Sequence, residues 1–352
     1  MKARPSRGKL LMALPVDAST KLTDLGDQVH NLSIVVPIYN EVGNLKRLYS
    51  ELTEALMAFG KPYEIILVDD GSKDGSTRSL ETIAATDPRV KLIIFRRNYG
   101  QTAAMKAGID LASMDVVITI DGDLQNDPAD IGAMIAKLEE GYDLVHGWRV
   151  HRQDAMISRK LPSRIANWII SRVTRFPIHD LGCTLKAIRR NILSEVEFYG
   201  DMHRFIPILL YQRGARCFEI ETHHRARVAG VTKYGIGRTL VVLLDLLTVK
   251  YLLDYSAHPM RIFGGAGLVS FSFAFLFFLL LISMKLFGGV DITGNPFLML
   301  SVVAGLAGLQ LLSLGLIGEI LARIYFATGH KTYYAILRTV NFADAGPPPI
   351  QA

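Results

Sequence analysis

The sequence contains few cysteines, and its first 30 residues contain no long apolar stretch. Cys183 and Cys217 are the two cysteines among 352 residues, and they are not spaced as zinc ligands are. Two isolated thiols are typical of a protein in a reducing compartment. The apolar stretch Leu10–Leu14 is too short for the core of a signal peptide. These absences exclude a cysteine metal site, and we expect reduced thiols in a cytoplasmic domain.

Basic residues are in excess, but they do not form a patch interleaved with aromatic residues. The chain has 39 Lys and Arg against 33 Asp and Glu, which gives a formal net charge of +6. A nucleic-acid partner is therefore not expected. A positive net charge also suits a protein that is held against an anionic membrane leaflet.

Charged residues are missing from two long stretches near the carboxyl terminus. The stretches are Ile262–Met284 and Pro296–Gly318, each of 23 residues. A helix rises about 1.5 Å per residue, so about 20 apolar residues cross a hydrocarbon core of about 30 Å. The alternative is a pair of buried core helices, but adjacent helices of soluble proteins rarely lack charge for so long. The sequence therefore predicts two transmembrane helices.

Cations flank this predicted membrane hairpin on both sides. The link between the two stretches carries one Lys and one Asp, whereas the flanks carry Lys250, Arg261, Arg323, Lys331 and Arg338. The positive-inside rule then places both the large amino-terminal part and the carboxyl-terminal tail in the cytoplasm. Small residues within the stretches permit close helix packing and a homo-oligomer; they are Gly264, Gly265, Gly305 and Gly308.

Apolar segments of strand length alternate with helical patterns from residue 32 onward. The predicted strands are Leu32–Val36, Glu64–Val68, Val90–Phe95, Val116–Ile120 and Asp143–His146, and the predicted helices are Gly43–Phe59, Ser76–Thr86, Gln101–Ala112 and Pro128–Glu139. Strands that are apolar on both faces and alternate with helices predict an α/β domain with a mostly parallel sheet. Ligands of such sheets bind beyond the carboxyl ends of the strands.

Acidic and glycine-rich segments follow the first, second and fourth predicted strands. The first strand leads into Pro37-Ile-Tyr-Asn-Glu41 and the second into Asp69-Asp-Gly-Ser72. Carboxylates there could accept hydrogen bonds from a nucleotide, although the same residues also form an ordinary turn and helix cap. The fourth strand leads into Asp121-Gly-Asp-Leu-Gln125. If that segment is extended, Asp121, Asp123 and Gln125 share one face, and their oxygens suit Mg²⁺ or Mn²⁺.

Together these motifs resemble glycosyltransferase family 2, in its polyprenyl-phosphate branch of dolichol-phosphate mannose synthases and bactoprenol glucosyltransferases. The resemblance extends over about residues 32–334 and includes Pro37-x-Tyr-Asn-Glu41, Val68-Asp-Asp-Gly-Ser72, Asp121-x-Asp-Leu-Gln125 and Arg225-x-Arg-x-x-Gly-x-Thr-Lys-Tyr234. Thr232 replaces the serine usual in the last motif and keeps its hydroxyl. The resemblance implies a GT-A type nucleotide-sugar-binding domain, a divalent metal, and the two carboxyl-terminal spans.

The resemblance also implies roles for particular residues. A nucleotide pocket would be lined by Pro37, Tyr39, Glu41, Val68 and Asp70. The metal would be held by Asp121, Asp123 and Gln125, with Asp123 nearest the transferred sugar. The residues that would contact phosphate groups and the lipid acceptor are Arg149, Arg159, Ser163, Arg225, Arg227 and Lys233. Taken singly, each of these cations could equally be a solvated surface residue.

The reaction implied is inverting transfer of one sugar from a nucleotide donor, with UDP-glucose expected, to polyprenyl phosphate at the cytoplasmic membrane face. GDP-mannose and a UDP-aminosugar are alternative donors. A processive polysaccharide synthase would carry a Gln-x-x-Arg-Trp motif, which is missing here. A non-catalytic scaffold would be expected to have lost the acidic ligands, and a channel would need charge within the spans.

The sequence predicts a division of the chain into five parts. They are a mobile leader (1–30), a GT-A catalytic domain (31–234), interfacial amphipathic helices (235–260), two transmembrane helices (261–320) and a cytoplasmic tail (321–352). The interfacial segment could also be an ordinary amphipathic core helix.

Overall fold

A computed structural model describes residues 8–10, 28–150, 176, 178–193, 202–225, 259–327 and 334–342. The chain forms two compact units, one of residues 1–246 with 332–352 and one of residues 247–331. The first unit contains the described strands and the shorter helices, and the second contains two long apolar helices. The predicted interfacial segment lies almost entirely outside the described residues.

The first unit is built on a mixed sheet that contains nine strands within the described residues. They are β1 (Gly8–Leu10), β2 (Leu32–Ile38), β3 (Tyr63–Asp69), β4 (Val90–Phe95), β5 (Val116–Thr119), β6 (Leu144–Trp148), β7 (Lys186–Arg189), β8 (Cys217–Glu221) and β9 (Ile336–Val340). Their order across the sheet is β1-β8-β6-β7-β5-β2-β3-β4-β9. Strands β5, β2, β3 and β4 are mutually parallel, and β6 is parallel to β8. The remaining pairs are antiparallel.

Helices cover the sheet because the parallel strands are apolar on both faces. The helices of this unit are α1 (Leu45–Phe59), α2 (Ser76–Thr86), α3 (Gln101–Asp110), α4 (Ile131–Glu139), α5 (Arg190–Leu193) and α6 (Ile206–Gln212). Helix α1 buries Leu45, Leu48, Leu52 and Leu56, a spacing of three or four residues that places them on one face. It ends at Gly60, whose left-handed backbone (φ 73°) lets its amide cap the carbonyls of the last turn.

The five predicted strands and four predicted helices are all present, with boundaries shifted by at most three residues. Four further strands, β1, β7, β8 and β9, were not predicted from the sequence. Strand β1 lies in the segment predicted to be a mobile leader, and it pairs with β8. Strand β9 lies in the predicted tail and pairs with β4. The sheet therefore includes segments from both predicted ends of the chain.

The second unit contains two helices that are long and apolar enough to cross a membrane. They are α7 (Pro259–Gly288, 30 residues) and α8 (Pro296–Ala327, 32 residues). Only 11% and 6% of their most apolar segments are buried within the protein. A core helix of a soluble protein would be mostly buried, so this exposure argues against the alternative of a buried helix pair.

Glycines allow α7 and α8 to approach closely. A Cβ atom on Gly308 would lie 3.0 Å from the carbonyl oxygen of Gly267, and a Cβ on Gly267 would lie 3.0 Å from that of Gly308. Two serine hydroxyls also cross the interface, from Ser270 to the carbonyl of Ala304 (2.7 Å) and from Ser301 to that of Ala274 (2.9 Å). Small residues and hydroxyl donors are the usual means of packing helices in lipid.

We expect Gly308→Val to destabilise this helix pair, because the added methyl groups would collide with backbone atoms of α7. Overpacking of this kind costs about 1–3 kcal/mol. Gly265→Val is the matched control, since a Cβ atom there meets nothing within 4 Å. The thermal stability of both variants in detergent would be compared with that of the unaltered protein. Equal stability of the two variants would contradict the packing described here.

Candidate active site

The site predicted from the sequence lies at the carboxyl edge of the parallel strands. Strands β2, β3 and β5 are parallel, so the acidic segments that follow them all lie at this edge. Strand β7 runs the opposite way and pairs Lys186 with Thr119 at the end of β5. The loop that precedes β7 therefore lies against the segment that follows β5.

The turn after β3 depends on a glycine and a buried carboxylate. Gly71 has φ of 69°, and a Cβ atom there would lie 2.6 Å from the backbone carbon of Arg97. Any other residue would therefore both strain the turn and collide with the loop after β4. Asp69 is fully buried and accepts hydrogen bonds from the Ser72 amide (2.9 Å) and the Thr77 hydroxyl.

Asp70 links this turn to the loop after β4. Its carboxylate is 3% exposed and accepts hydrogen bonds from the amides of Tyr99 (2.6 Å) and Gly100 (2.9 Å). Burial raises the pKa of Asp70, and the two amides oppose that rise. The structure thus gives Asp70 a role in holding the loop, and its contact with a nucleotide stays a prediction.

The other predicted nucleotide-binding residues lie close to Asp70 in the sheet. Pro37 on β2 is paired in register with Val68 on β3, and the side chain of Val68 is fully buried. The contact of Val68 with a nucleotide therefore stays a prediction. Tyr39 and Glu41 follow β2 and are partly buried. Glu41 accepts a hydrogen bond from the Asn44 amide group (2.6 Å), and its own backbone amide donates to the hydroxyl of Ser76 (3.0 Å).

The predicted metal segment is a turn, so the expectation that it is extended was wrong. Strand β5 ends at Thr119, and the backbone then reverses, with Leu124 at a φ of 62°. A left-handed conformation costs a branched residue about 1–2 kcal/mol, and such strain is concentrated at functional sites. Leu124 is buried (2% exposed), which holds it in this conformation. The Oδ1 atom of Asp123 accepts a hydrogen bond from the Gln125 amide (3.2 Å) and closes the turn.

Asp121 is held by side chains from a helix and from another loop. Gln101, at the start of α3, donates to its Oδ1 atom (2.7 Å), and the hydroxyl of Thr184 donates to its Oδ2 atom. Burial, with the nearby charge of Asp123, raises the pKa of Asp121 to about 6. Because Gln101 follows Gly100, the loop after β4, which Asp70 holds, and the turn after β5 are connected through adjacent residues.

This raised pKa predicts a pH-dependent stability. Native Asp121 holds its proton up to about pH 6, whereas the unfolded carboxyl ionises near 3.8, so its ionisation destabilises the fold as the pH rises between these values. We therefore expect the free energy of unfolding of Asp121→Asn, relative to that of the unaltered protein, to increase by about 2–3 kcal/mol as the pH rises from 4 to 7. Thermal denaturation in EDTA would measure the difference. A difference that does not change with pH would contradict the assignment.

Arg149 was predicted to contact substrate phosphate, but the structure places it in a buried ion pair. Its guanidinium donates to both carboxylate oxygens of Asp180, at 2.7 and 3.0 Å, and the two side chains are 11% and 8% exposed. Asp121 is close enough for its charge to act on Arg149. Arg149 therefore acts electrostatically on the turn after β5, and a direct phosphate contact stays a prediction.

Two buried groups next to this pair were not predicted from the sequence. Lys186 is fully buried, and its ammonium donates to the carbonyl of Cys183 at 2.7 Å. Burial lowers the pKa of Lys186 to about 8. His146 lies opposite Lys186 on β6, and its Nε2 atom is 2.5 Å from the carbonyl of Asp180. The signal for Lys186 was a charged residue inside a short apolar segment, which resembles irregular structure, whereas His146 ended a predicted strand.

Arg225 is tied to two carboxylates on neighbouring elements. It forms ion pairs with Glu51 on α1 (2.5 Å) and with Asp127 (2.7 Å), and its backbone amide donates to the carbonyl of Gln125 (2.9 Å). These residues line part of a surface cavity of about 550 Å³ between α1 and the start of α4. The lining of this cavity does not include Asp70, Asp121 or Asp123.

The remaining predicted contacts fall on residues that the structure does not describe. They are Arg159, Ser163, Arg227 and Lys233. Within the described residues, no group of three or more His, Cys, Asp or Glu side chains is arranged to hold a metal. The carboxylates of Asp121 and Asp123 nevertheless fit Mg²⁺ chemistry, because that ion is commonly held by one or two carboxylates and completed by substrate phosphates.

Comparison with known proteins identifies relatives over most of the chain. Residues 33–197 match the Glycosyl transferase family 2 profile. The dodecaprenyl-phosphate galacturonate synthase of Rhizobium johnstonii is 40% identical over 87% of this chain and 91% of its own length. The undecaprenyl-phosphate 4-deoxy-4-formamido-L-arabinose transferase of Pectobacterium carotovorum is 38% identical over 90% of this chain and 96% of its own length.

Among solved structures, glucosyl-3-phosphoglycerate synthase from Mycobacterium tuberculosis matches 63% of this chain and 80% of its own, at 17% identity and a TM-score of 0.49. That likeness is too weak to support a conclusion about function. The two relatives named above match this chain over 87% and 90% of its length. The chain belongs to glycosyltransferase family 2 and is a relative of the enzymes that transfer sugars to polyprenyl phosphates.

Proposed function

We propose that this protein transfers one sugar from a UDP-linked donor to a polyprenyl phosphate, with Mg²⁺ or Mn²⁺ and with inversion at the anomeric carbon. The observation that carries the proposal is the turn after β5, where Asp121 and Asp123 lie next to each other and Asp121 is oriented by Gln101 and Thr184. The names of the two relatives favour galacturonate or 4-deoxy-4-formamido-arabinose over the glucose expected from the sequence.

The residues of the turn are suited to binding and orienting the donor. A bound divalent cation would neutralise the charge that develops on the nucleotide diphosphate as it leaves. The loop after β4 would fix the nucleotide side of the site, because its Gly100 amide donates to Asp70 and the next residue, Gln101, donates to Asp121. Polyprenyl phosphate is already an anion at neutral pH, so its attack requires placement and charge screening rather than a strong base.

The course of the chain after the two apolar helices supports a location in the membrane. The strand β9 follows the two apolar helices and pairs with β4 in the same sheet as the acidic turns. If each helix crosses the membrane once, the chain returns to its starting side, as this pairing requires. We therefore propose an inner-membrane protein whose catalytic unit faces the cytoplasm.

The test is a direct transfer assay. Membranes that contain the protein would be incubated with polyprenyl phosphate and labelled UDP-galacturonate, UDP-4-deoxy-4-formamido-arabinose, UDP-glucose, UDP-N-acetylglucosamine or GDP-mannose. We expect one labelled lipid, formed only from a UDP-sugar and lost in EDTA. Asp123→Asn membranes serve as the control. The proposal is wrong if no donor gives a labelled lipid, or if labelling is the same in the control.

A further inference from the structure

An aromatic pair lies at the carboxyl edge of β6 beside the predicted site. The rings of Trp148 and His179 are stacked, with centroids 4.4 Å apart and planes inclined by 23°. Trp148 is the last residue of β6, and His179 belongs to the loop that leads to β7. The side chain of His179 is 41% exposed, so the imidazole forms part of the surface at this edge.

A fully buried carboxylate holds this imidazole in place. Glu219 on β8 is 0% exposed, and its Oε2 atom lies 2.6 Å from the Nδ1 atom of His179. Its Oε1 atom accepts hydrogen bonds from the backbone amides of His179 (3.1 Å) and Asp180 (3.3 Å). Burial raises the pKa of Glu219, and the hydrogen bond from His179 opposes the rise.

This arrangement is poorly explained by stability alone. A carboxylate that is removed from water requires compensation that an apolar residue of similar size would not need. Glu219 accepts a hydrogen bond from a ring whose side chain is 41% exposed to solvent. Because the Nδ1 atom donates to Glu219, the orientation of the ring is fixed, and its Nε2 edge is set in one direction. Fixing an exposed imidazole in this way is typical of residues that bind or orient a ligand.

The pair is close to the predicted reaction centre. His179 and Trp148 immediately precede the two residues of the buried ion pair, Asp180 and Arg149, whose atoms are 2.7 Å apart. The charge of that arginine acts on Asp121 in the turn after β5. The stacked rings therefore neighbour, along the chain, the ion pair that acts on this turn, and both proposed substrates of this site carry phosphate.

We propose that His179 contacts an anionic group of a substrate, so that Trp148, His179 and Glu219 form an anion-binding wall of the transfer site. The inference rests on the proposed function. The anionic group belongs either to the acceptor, as the phosphate of the polyprenyl lipid, or to the donor, as its diphosphate or a sugar carboxylate. Both sources offer oxygens to which a protonated imidazole can donate a charge-assisted hydrogen bond.

The experiment measures steady-state kinetics of the purified full-length protein, with donor and acceptor varied separately. We expect His179→Ala to raise the KM of one substrate about tenfold with little change in kcat, the pattern of a lost binding contact. A rise in the acceptor KM alone identifies the lipid phosphate, and a rise in the donor KM alone identifies the donor. His179→Arg, which places a permanent cation at this position, should recover part of the loss.

Controls separate this inference from a structural role and from the proposed function. His30→Ala removes an exposed histidine just before β2, at the opposite edge of the sheet, and should leave both KM values unchanged. If His179→Ala lowers the melting temperature, His179→Gln is used instead, because its amide can still donate to Glu219. Unchanged KM values in a folded, active His179 variant overturn the inference. Absence of transfer by the unaltered protein would instead overturn the proposed function.

Discussion

Asp123→Asn is expected to reduce sugar transfer to background while the protein stays folded and inserted. Asparagine keeps an oxygen that can accept the Gln125 amide, now 3.2 Å from Asp123, so the turn should close as before. What is lost is a negative charge that is only 7% exposed and lies beside Asp121. A metal ion stabilises a leaving group by several kcal/mol, and each 1.4 kcal/mol is about tenfold in rate. We therefore expect a loss of about a thousandfold or more.

The measurement is transfer by purified protein with Mg²⁺ or Mn²⁺ at saturating donor. Asp115→Asn is the matched control, because Asp115 is exposed just before β5, at the other end of the same strand. This control should transfer sugar at the normal rate. Near-normal turnover of Asp123→Asn would contradict the proposal that this turn holds the metal ion.

Asp180→Ala is expected to give the largest loss of stability among single changes near the site. It would leave the guanidinium of Arg149, 11% exposed, without the carboxylate that now accepts two hydrogen bonds from it. Breaking one side of a buried ion pair costs about 3–5 kcal/mol. The amide of Gly182, which donates to Asp180 at 3.2 Å, would lose its partner as well.

An exposed pair provides the comparison for this change. Lys137 and Glu140 are 2.7 Å apart, but their side chains are 27% and 54% exposed. Glu140→Ala should therefore cost no more than about 1 kcal/mol. In addition, Arg149→Met combined with Asp180→Leu should recover much of the stability lost in Asp180→Ala, since an apolar pair can replace a buried ion pair. Equal melting temperatures for Asp180→Ala and Glu140→Ala would show that the buried pair is not stabilising.

The parallel part of the fold was predictable because its strands are apolar on both faces. Short apolar segments such as Val90–Phe95 and Val116–Ile120 are typical of strands in a sheet that is covered on both faces. The helices between them were equally clear, and Ser76–Thr86 begins and ends as predicted. The motifs that follow the parallel strands all lie at the carboxyl edge of the sheet, where ligands of such sheets bind.

The antiparallel strands were missed for a physical reason. Strands β7 and β8 contain Lys186 and Glu219, which are fully buried although they are charged. Lys186 donates to the carbonyl of Cys183 three residues earlier, and Glu219 is paired with the imidazole and backbone amide of His179, 40 residues away. No hydropathy pattern in these segments indicates such partners. For the same reason the sequence suggested that Arg149 faces phosphate, because its partner Asp180 lies 31 residues further on.

Strand β9 also has a consequence for the order in which the protein is made. Residues 247–331 interrupt the sheet as an insertion, so the partner of β4 leaves the ribosome about 240 residues after β4 itself. At 5–20 residues per second, that delay is roughly ten to fifty seconds. During this time the backbone of Val90–Phe95 is an unpaired apolar edge, which is open to pairing with other chains. A soluble fragment that stops before the insertion would keep that edge open permanently, and one that carries residues 334–342 on a short linker would close it.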